Sequence, residues 1–185
     1  MSSQKPRPGR PKTVPLPMLA AMAVGGVLLT GCSEYTITVP EPLAAADVRW
    51  ASGLGIQLAD FDEQPSGLWI RVDEEGEDGT PAGEGYTLLV DYDGWLPDGR
   101  MFDSSREPAF GARGPLSIRV GTDRFIQGFA EGVTGMQVNE VRTLLIPPAL
   151  GYGLHPPLGG QIPIPPNSWL AFRVELIDQQ PPPGS

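Results

Sequence analysis

Cysteine and histidine occur once each in the 185 residues, as Cys32 and His155. A lone cysteine closes no disulfide within the chain, and His155, set beside Pro156 and Pro157, has no partner at metal-ligand or nucleophile spacing. Disulfide scaffolds, Cys/His metal centres and thiol or histidine-assisted nucleophiles are therefore excluded as the basis of function, and no cofactor or metal is expected. Cations are scarce. Against 22 Asp and Glu stand 13 Lys and Arg, and four of those (Lys5, Arg7, Arg10, Lys12) fall in the first 31 residues, which hold no acid. From Cys32 onward nine cations face 22 acids, a net −13, which repels phosphate backbones and makes nucleic acid an unexpected partner. Long periodic helices are missing too, because 24 Gly and 22 Pro punctuate the chain. No apolar run reaches the roughly 20 residues of a comfortable membrane span.

The longest such run is residues 16–30 (LPMLAAMAVGGVLLT), which follows a basic start and ends in small residues, the pattern of a secretory signal. Leu29-Thr30-Gly31-Cys32 resembles a bacterial lipobox, in which the cysteine is acylated and becomes the first mature residue. The expectation is a signal peptide over 1–31 and lipidation at Cys32, with a flexible tether over 32–65. The mature protein is then anchored in the bacterial cell envelope and faces the periplasm. Ser33 points to the outer rather than the inner membrane. Within the tether, residues 54–66 carry Leu58 and Phe61 among acids and read either as docked or as mobile.

From Gly67 onward short strands alternate. Leu68, Ile70 and Val72 share one face, as do Tyr86, Leu88, Val90 and Tyr92. Pro97-Asp98-Gly99 supplies turn chemistry between two strands. Leu116, Ile118 and Val120 alternate, residues 141–146 are apolar enough for a central strand, and residues 168–177 place Leu170, Phe172, Val174 and Leu176 inward. One segment reads as helix, residues 123–133, with Phe125, Ile126, Phe129 and Val133 on a stripe, Thr122 or Asp123 as cap and Gly135 just past the end. Residues 73–78 read as a solvated acidic turn whose spacing matches no calcium loop. The pattern predicts an α+β domain over 66–178, a curved antiparallel sheet of five to six strands around one short helix, with a disordered Pro-rich tail over 179–185.

Six ordered motifs carry a more specific signal: residues 90–94 (VDYDG), 97–105 (PDGRMFDSS), 125–132 (FIQGFAEG), 145–152 (LIPPALGY), 164–167 (IPPN) and 172–176 (FRVEL). Each alone is ordinary core or loop sequence. In this order and spacing the chain resembles the FKBP-type peptidyl-prolyl cis-trans isomerases. The resemblance implies an apolar pocket between sheet and helix that takes proline-containing polypeptides and macrolide inhibitors. Carried over residue by residue, it implies a catalytic set of Tyr92, Asp103, Ile126 and Tyr152, with Phe102, Leu116, Phe125, Phe129, Ile164 and Phe172 binding substrate. Asp103 is expected to orient the Tyr92 hydroxyl, and the Ile126 N–H and Tyr152 hydroxyl to donate to a substrate carbonyl.

The chain departs from the family pattern in places that bear on rate. Phe129 stands where the pocket floor is usually tryptophan, and Leu116 replaces a wall aromatic. The loops over 106–115 and 154–163 are longer than common. A smaller aromatic cup implies weaker macrolide binding and slower isomerisation. An alternative follows: an FKBP-like module that grips proline-containing segments without useful turnover.

Overall fold

The computed structural model describes residues 41–77, 79–122, 125–158 and 161–184. The expected signal segment and Cys32 lie outside the described residues. Among the described residues, no helix is long and apolar enough to cross a membrane.

Seven strands form one antiparallel sheet: β1 (Asp62–Glu63), β2 (Trp69–Glu74), β3 (Thr87–Trp95), β4 (Met101–Ser104), β5 (Leu116–Arg119), β6 (Val141–Ile146) and β7 (Leu170–Gln180). Their spatial order is β1-β2-β6-β7-β3-β4, and β5 also pairs with β3. On that edge β4 lies against residues 93–95 of β3 and β5 against residues 87–90. Strand β3 has the expected period of two, with Leu88, Val90 and Tyr92 buried and their neighbours half-exposed. The inner face of the sheet packs on helix α1 (Gln127–Val133) through Leu144 and Ile146 of β6 and Leu170, Phe172, Val174 and Leu176 of β7. Burying each such side chain contributes about 1.5–3 kcal/mol. The helix lies close because Gly132 faces β6: a Cβ there would sit 2.4 Å from Leu144 Cδ1.

The helix is shorter than its sequence pattern predicts. Phe125 and Ile126 precede it, and Ile126 is its N-cap, extended at φ −60 and ψ 138, with no side-chain hydrogen bond. Asp123 lies outside the described residues. The Thr122 hydroxyl donates back to Arg119 O instead of capping. Apolar residues at 125 and 126 fit a helical stripe, but they also fit an extended segment lining a pocket, and packing selects the latter.

Three further expectations are corrected. Strand β7 runs through Gln179 and Gln180, which pair with Leu88 and Thr87, so the first residues of the supposed disordered tail are sheet. The acidic turn is not merely solvated: Asp73 pairs with Arg71 at 2.6 Å and accepts the Thr143 hydroxyl at 2.5 Å, while Glu74 pairs with Arg173 at 2.9 Å. The third concerns the tether, whose residues 43–61 are ordered. They cross the outer face of the sheet as a strap with three single 3₁₀ turns, Ala45–Asp47, Ser52–Leu54 and Leu58–Asp60. The register explains why. Trp69, Leu145, Ala171 and Trp95 form a row across β2, β6, β7 and β3 on that face, an apolar stripe that needs cover. Val48, Trp50, Ile56, Leu58 and Phe61 supply it, together with Trp169. The Trp169 indole N–H donates to Leu43 O at 2.8 Å, the Ala51 N–H to Pro97 O at 2.8 Å, and the Arg71 guanidinium lies 4.7 Å over the Phe61 ring.

Candidate active site

A cavity of ≈ 560 Å³ opens between the inner face of the sheet and the start of α1. Its aromatic wall centres on Phe172 from β7. Phe129 of α1 stands edge-on to Phe172 at 5.2 Å and 73°, and Tyr92 of β3 edge-on to Phe129 at 5.8 Å and 78°. Phe125 extends the wall 6.2 Å from Phe129. Such edge-to-face pairs add about 0.5–1.5 kcal/mol to simple burial and fix the rings relative to one another. The remaining wall comes from Leu116 of β5, from Ile126, and from Leu150, Gly151 and Tyr152 in the crossover between β6 and β7.

One bond sets the polar chemistry. The Tyr92 hydroxyl donates to Asp103 Oδ2 at 2.8 Å, as the sequence leads one to expect. Asp103 is held from the other side: Arg113 Nη2 lies 2.7 Å from Oδ1, and the Ser104 N–H donates to the same oxygen at 3.0 Å. Desolvation raises the Tyr92 pKa well above the ordinary phenol value, and the bond to Asp103 and its charge raise it further. Tyr152 is also raised, first by burial and then by the Asp103 charge. Both phenols stay protonated at neutral pH, with the Tyr92 proton committed to Asp103.

The two serines after Asp103 explain why β4 holds it rigidly. The Tyr92 N–H donates to Ser105 Oγ at 3.0 Å and the Ser105 N–H to Tyr92 O at 3.0 Å, while Ser105 Oγ donates to Asp91 at 2.7 Å. Ser104 Oγ donates to Asp93 at 2.5 Å. Arg106 then bridges Asp91 at 3.3 Å, Asp93 at 3.9 Å and Glu175. Both serines are buried and fully engaged.

Of the ten side chains assigned from sequence, eight line this cavity: Tyr92, Asp103, Leu116, Phe125, Ile126, Phe129, Tyr152 and Phe172. Phe102 and Ile164 do not. They line an adjoining cavity of ≈ 270 Å³ with Phe110, Arg113, Pro157, Gln161 and Ile162, and Asp103 and Tyr152 belong to both. The 106–115 and 154–163 loops build this second space: Phe110 comes from the first, and Gln161 Nε2 of the second donates across to Ala109 O. Phe102 still supports the first cavity from behind, edge-on to Phe172 at 5.4 Å. The residues missed in this cavity were Gln127, Ala149, Leu150 and Gly151, and beside it Arg113, which holds Asp103. None has a chemical signature, and Arg113 is separated from Asp103 by a loop whose path no local pattern gives. His155 is exposed, with its backbone N–H donating to Tyr152 O at 3.0 Å. Among the described residues no group of His, Cys, Asp and Glu can hold a metal.

Comparison with known proteins agrees with this geometry. The model of a family described as FKBP-type peptidyl-prolyl cis-trans isomerase matches residues 79–177. The peptidyl-prolyl cis-trans isomerase FKBP53 of Arabidopsis thaliana is 42% identical over 118 residues, which are 63% of this chain but 23% of that protein. An FK506-binding protein of Neisseria meningitidis serogroup C is 40% identical over 111 residues, 60% of this chain and 95% of that one. The crystal structure of FkpA from Escherichia coli superposes with a TM-score of 0.55 at 36% identity, over 67% of this chain and 53% of that one. The structure of AtFKBP13 gives 0.55 at 34% identity, over 65% and 98%. Every residue lining both cavities falls inside the matched segment, and the chain belongs to the FKBP-type peptidyl-prolyl cis-trans isomerase family.

Proposed function

We propose that the protein isomerises Xaa-Pro bonds of exported polypeptides by holding the twisted amide in the ≈ 560 Å³ cavity. The observation that carries this reading is the Tyr92–Asp103 bond set into an otherwise aromatic wall beside Ile126. Rotation about the amide faces a barrier of about 18–20 kcal/mol, because resonance is lost in the twisted state. No proton needs to move and no covalent bond needs to form; a catalyst has only to bind the twisted amide better than the planar one. The ring cluster of Phe129, Phe172 and Tyr92 accepts a proline ring and excludes the water that favours the polar planar form. Ile126 stands before the first helical turn, where a backbone N–H is not consumed by the helix, so it can donate to a substrate carbonyl. Tyr152 offers the second donor. Asp103, fixed by Arg113, keeps the Tyr92 hydroxyl turned away from the proline seat.

The test is NMR exchange on a series of proline peptides. Asp103→Ala and Tyr152→Phe should each lower kcat/KM by about tenfold or more, the size expected when one positioned donor or its support is lost. Unchanged rates in both variants would sink the assigned mechanism. A second reading, a receptor that grips proline segments without turnover, is favoured by Phe129 and Leu116 in the cup and by the Gln161–Ala109 contact over the adjoining cavity. Peptide binding with no acceleration would select it.

The lipid anchor belongs to the same proposal. It is supported by the run over 16–30 closing in Leu29-Thr30-Gly31-Cys32. An acylated Cys32 would hold the domain at the envelope surface, where emerging chains carry unisomerised prolines. A Cys32→Ala chain should move from the membrane to the soluble fraction; retention with membrane would refute lipidation as the anchor.

A further inference from the structure

The strap over residues 43–61 precedes the segment that the family model matches, which begins at residue 79. It nevertheless ends in bonds that reach toward the site. We infer that the strap is a positioning element for Tyr152, acting through Trp169 and the crossover between β6 and β7; the inference rests on the isomerase reading for the role of Tyr152.

Two hydrogen bonds connect them. Leu43 O accepts the Trp169 indole N–H at 2.8 Å. Two residues earlier, the Asn167 N–H donates to Gly153 O at 2.8 Å, next to Tyr152. Asn167 has φ 57, a left-handed conformation that asparagine enters more readily than other non-glycine residues. Its bonded neighbours determine that it stays there. Ser168 Oγ, donating to Pro165 O at 2.7 Å, and Trp169, buried and tied to Leu43, supply that determination from one side; Gly153 supplies it from the other. A strap that lifts away removes the Leu43 tie to Trp169 while Ser168 stays bonded to Pro165, which loosens the hold on the backbone at 167 and on the bond that fixes the Tyr152 segment.

The strap is also built to move more readily than the core. A cavity of ≈ 360 Å³ lies along one flank, under Leu54 and Ile56 beside Trp95. A second of ≈ 440 Å³ lies along the other, beside Leu43, Val48 and Trp169. Sheet and helix, by contrast, meet at glycine-close contact. Elements with loose flanks and few buried side chains open at lower free energy than the core. By linkage, whatever the strap contributes to the geometry of the site, an occupied site returns to the strap.

Two full-length variants test this. Trp169→Phe keeps an aromatic ring while deleting the indole N–H and the volume of the fused ring; Phe61→Ala loosens the strap from its far end and leaves the indole bond to Leu43 O in place. Amide hydrogen exchange is read by NMR in the peptide-free protein at Asn167 and at Ala82, whose N–H donates to Met136 O away from the strap. Asn167 exchange should rise by about tenfold in Trp169→Phe and by a smaller factor in Phe61→Ala, with Ala82 unchanged, the signature of a local rather than global opening. Exchange at Asn167 that matches wild type in both variants overturns the inference. A rise of equal size at Asn167 and Ala82 overturns it as well, since the bond then serves only global stability. In turnover, KM should rise more than kcat falls, and added proline peptide should slow exchange of the Ala51 and Asp60 amides in the wild-type strap. The free-protein measurement stands whether or not the protein turns over, whereas a wild-type chain that accelerates no peptide overturns the isomerase reading instead.

Discussion

Tyr92 is where burial, charge and hydrogen bonding meet on one atom. Its ring is 8% exposed, its hydroxyl is tied to a carboxylate, and both conditions favour the neutral phenol. The pH consequence has a definite sign. Folding raises the Tyr92 pKa above its unfolded value of about 10, so its contribution to stability is complete below that pH and is lost as pH climbs through the folded value. Chemical-denaturation midpoints measured from neutral pH into the alkaline range should therefore fall once pH passes about 10, and Tyr92→Phe should flatten that decline. A midpoint curve identical in the two proteins would mean that Tyr92 ionises freely. The same residue illustrates what a linear motif conveys. The resemblance carried by VDYDG and FDSS implies that Tyr92 and Asp103 meet, and the pairing of β3 with β4 is what brings them together. The two motifs say nothing of Arg113, which reaches Asp103 from a loop.

At the scale of elements, the seating of α1 on β6 decides the depth of the pocket. A methyl group at Gly132 would overlap Leu144, which is fully buried and has nowhere to go. Gly132→Ala should thus destabilise the fold by about 1–3 kcal/mol as overpacking, despite the higher helix propensity of alanine. A lower Tm with a shallower cavity and higher KM is the expected outcome; a raised Tm would mean that propensity outweighs packing. The strap stands at the opposite extreme of legibility. Its apolar residues, Val48, Trp50, Ile56, Leu58 and Phe61, follow neither a helical nor a strand period, because each fills a separate gap in a surface made by other strands. Periodicity detects an element that presents one regular face. An irregular strap takes its conformation from its partner.

Across the whole molecule the aromatic residues divide by face. All four tryptophans lie on or beside the outer cluster: Trp50 on the strap, Trp69 and Trp169 within the cluster, and Trp95 in the cavity beneath the strap. Phe125, Phe129, Phe172 and Tyr92 build the inner pocket, and Phe61 joins the tryptophans on the outer face. Tryptophan emission therefore reports on the strap face, while far-UV circular dichroism reports on the sheet. Because Leu145 and Ala171 of the outer cluster belong to the same strands that carry the inner core, the two probes should give coincident global thermal transitions, the strap's sub-global opening being a minor population that amide exchange detects and the melt does not. An emission change that precedes loss of the sheet would show the strap melting as a separate unit.

The sequence by itself determined the strand pattern, which rests on alternation, and through six ordered motifs a resemblance to the family that implied most of the pocket. Tertiary structure alone decided three matters. It divided the assigned pocket residues between two cavities, since whether Phe102 and Ile164 face one space or the next depends on the paths of two long loops. It kept Phe125 and Ile126 out of α1, with Ile126 extended, because lining the cavity outweighs the modest preference of that stripe for helix. It also turned a supposed tether into a strap, because the reason for order there, the apolar row Trp69–Leu145–Ala171–Trp95, exists only once four strands have come together.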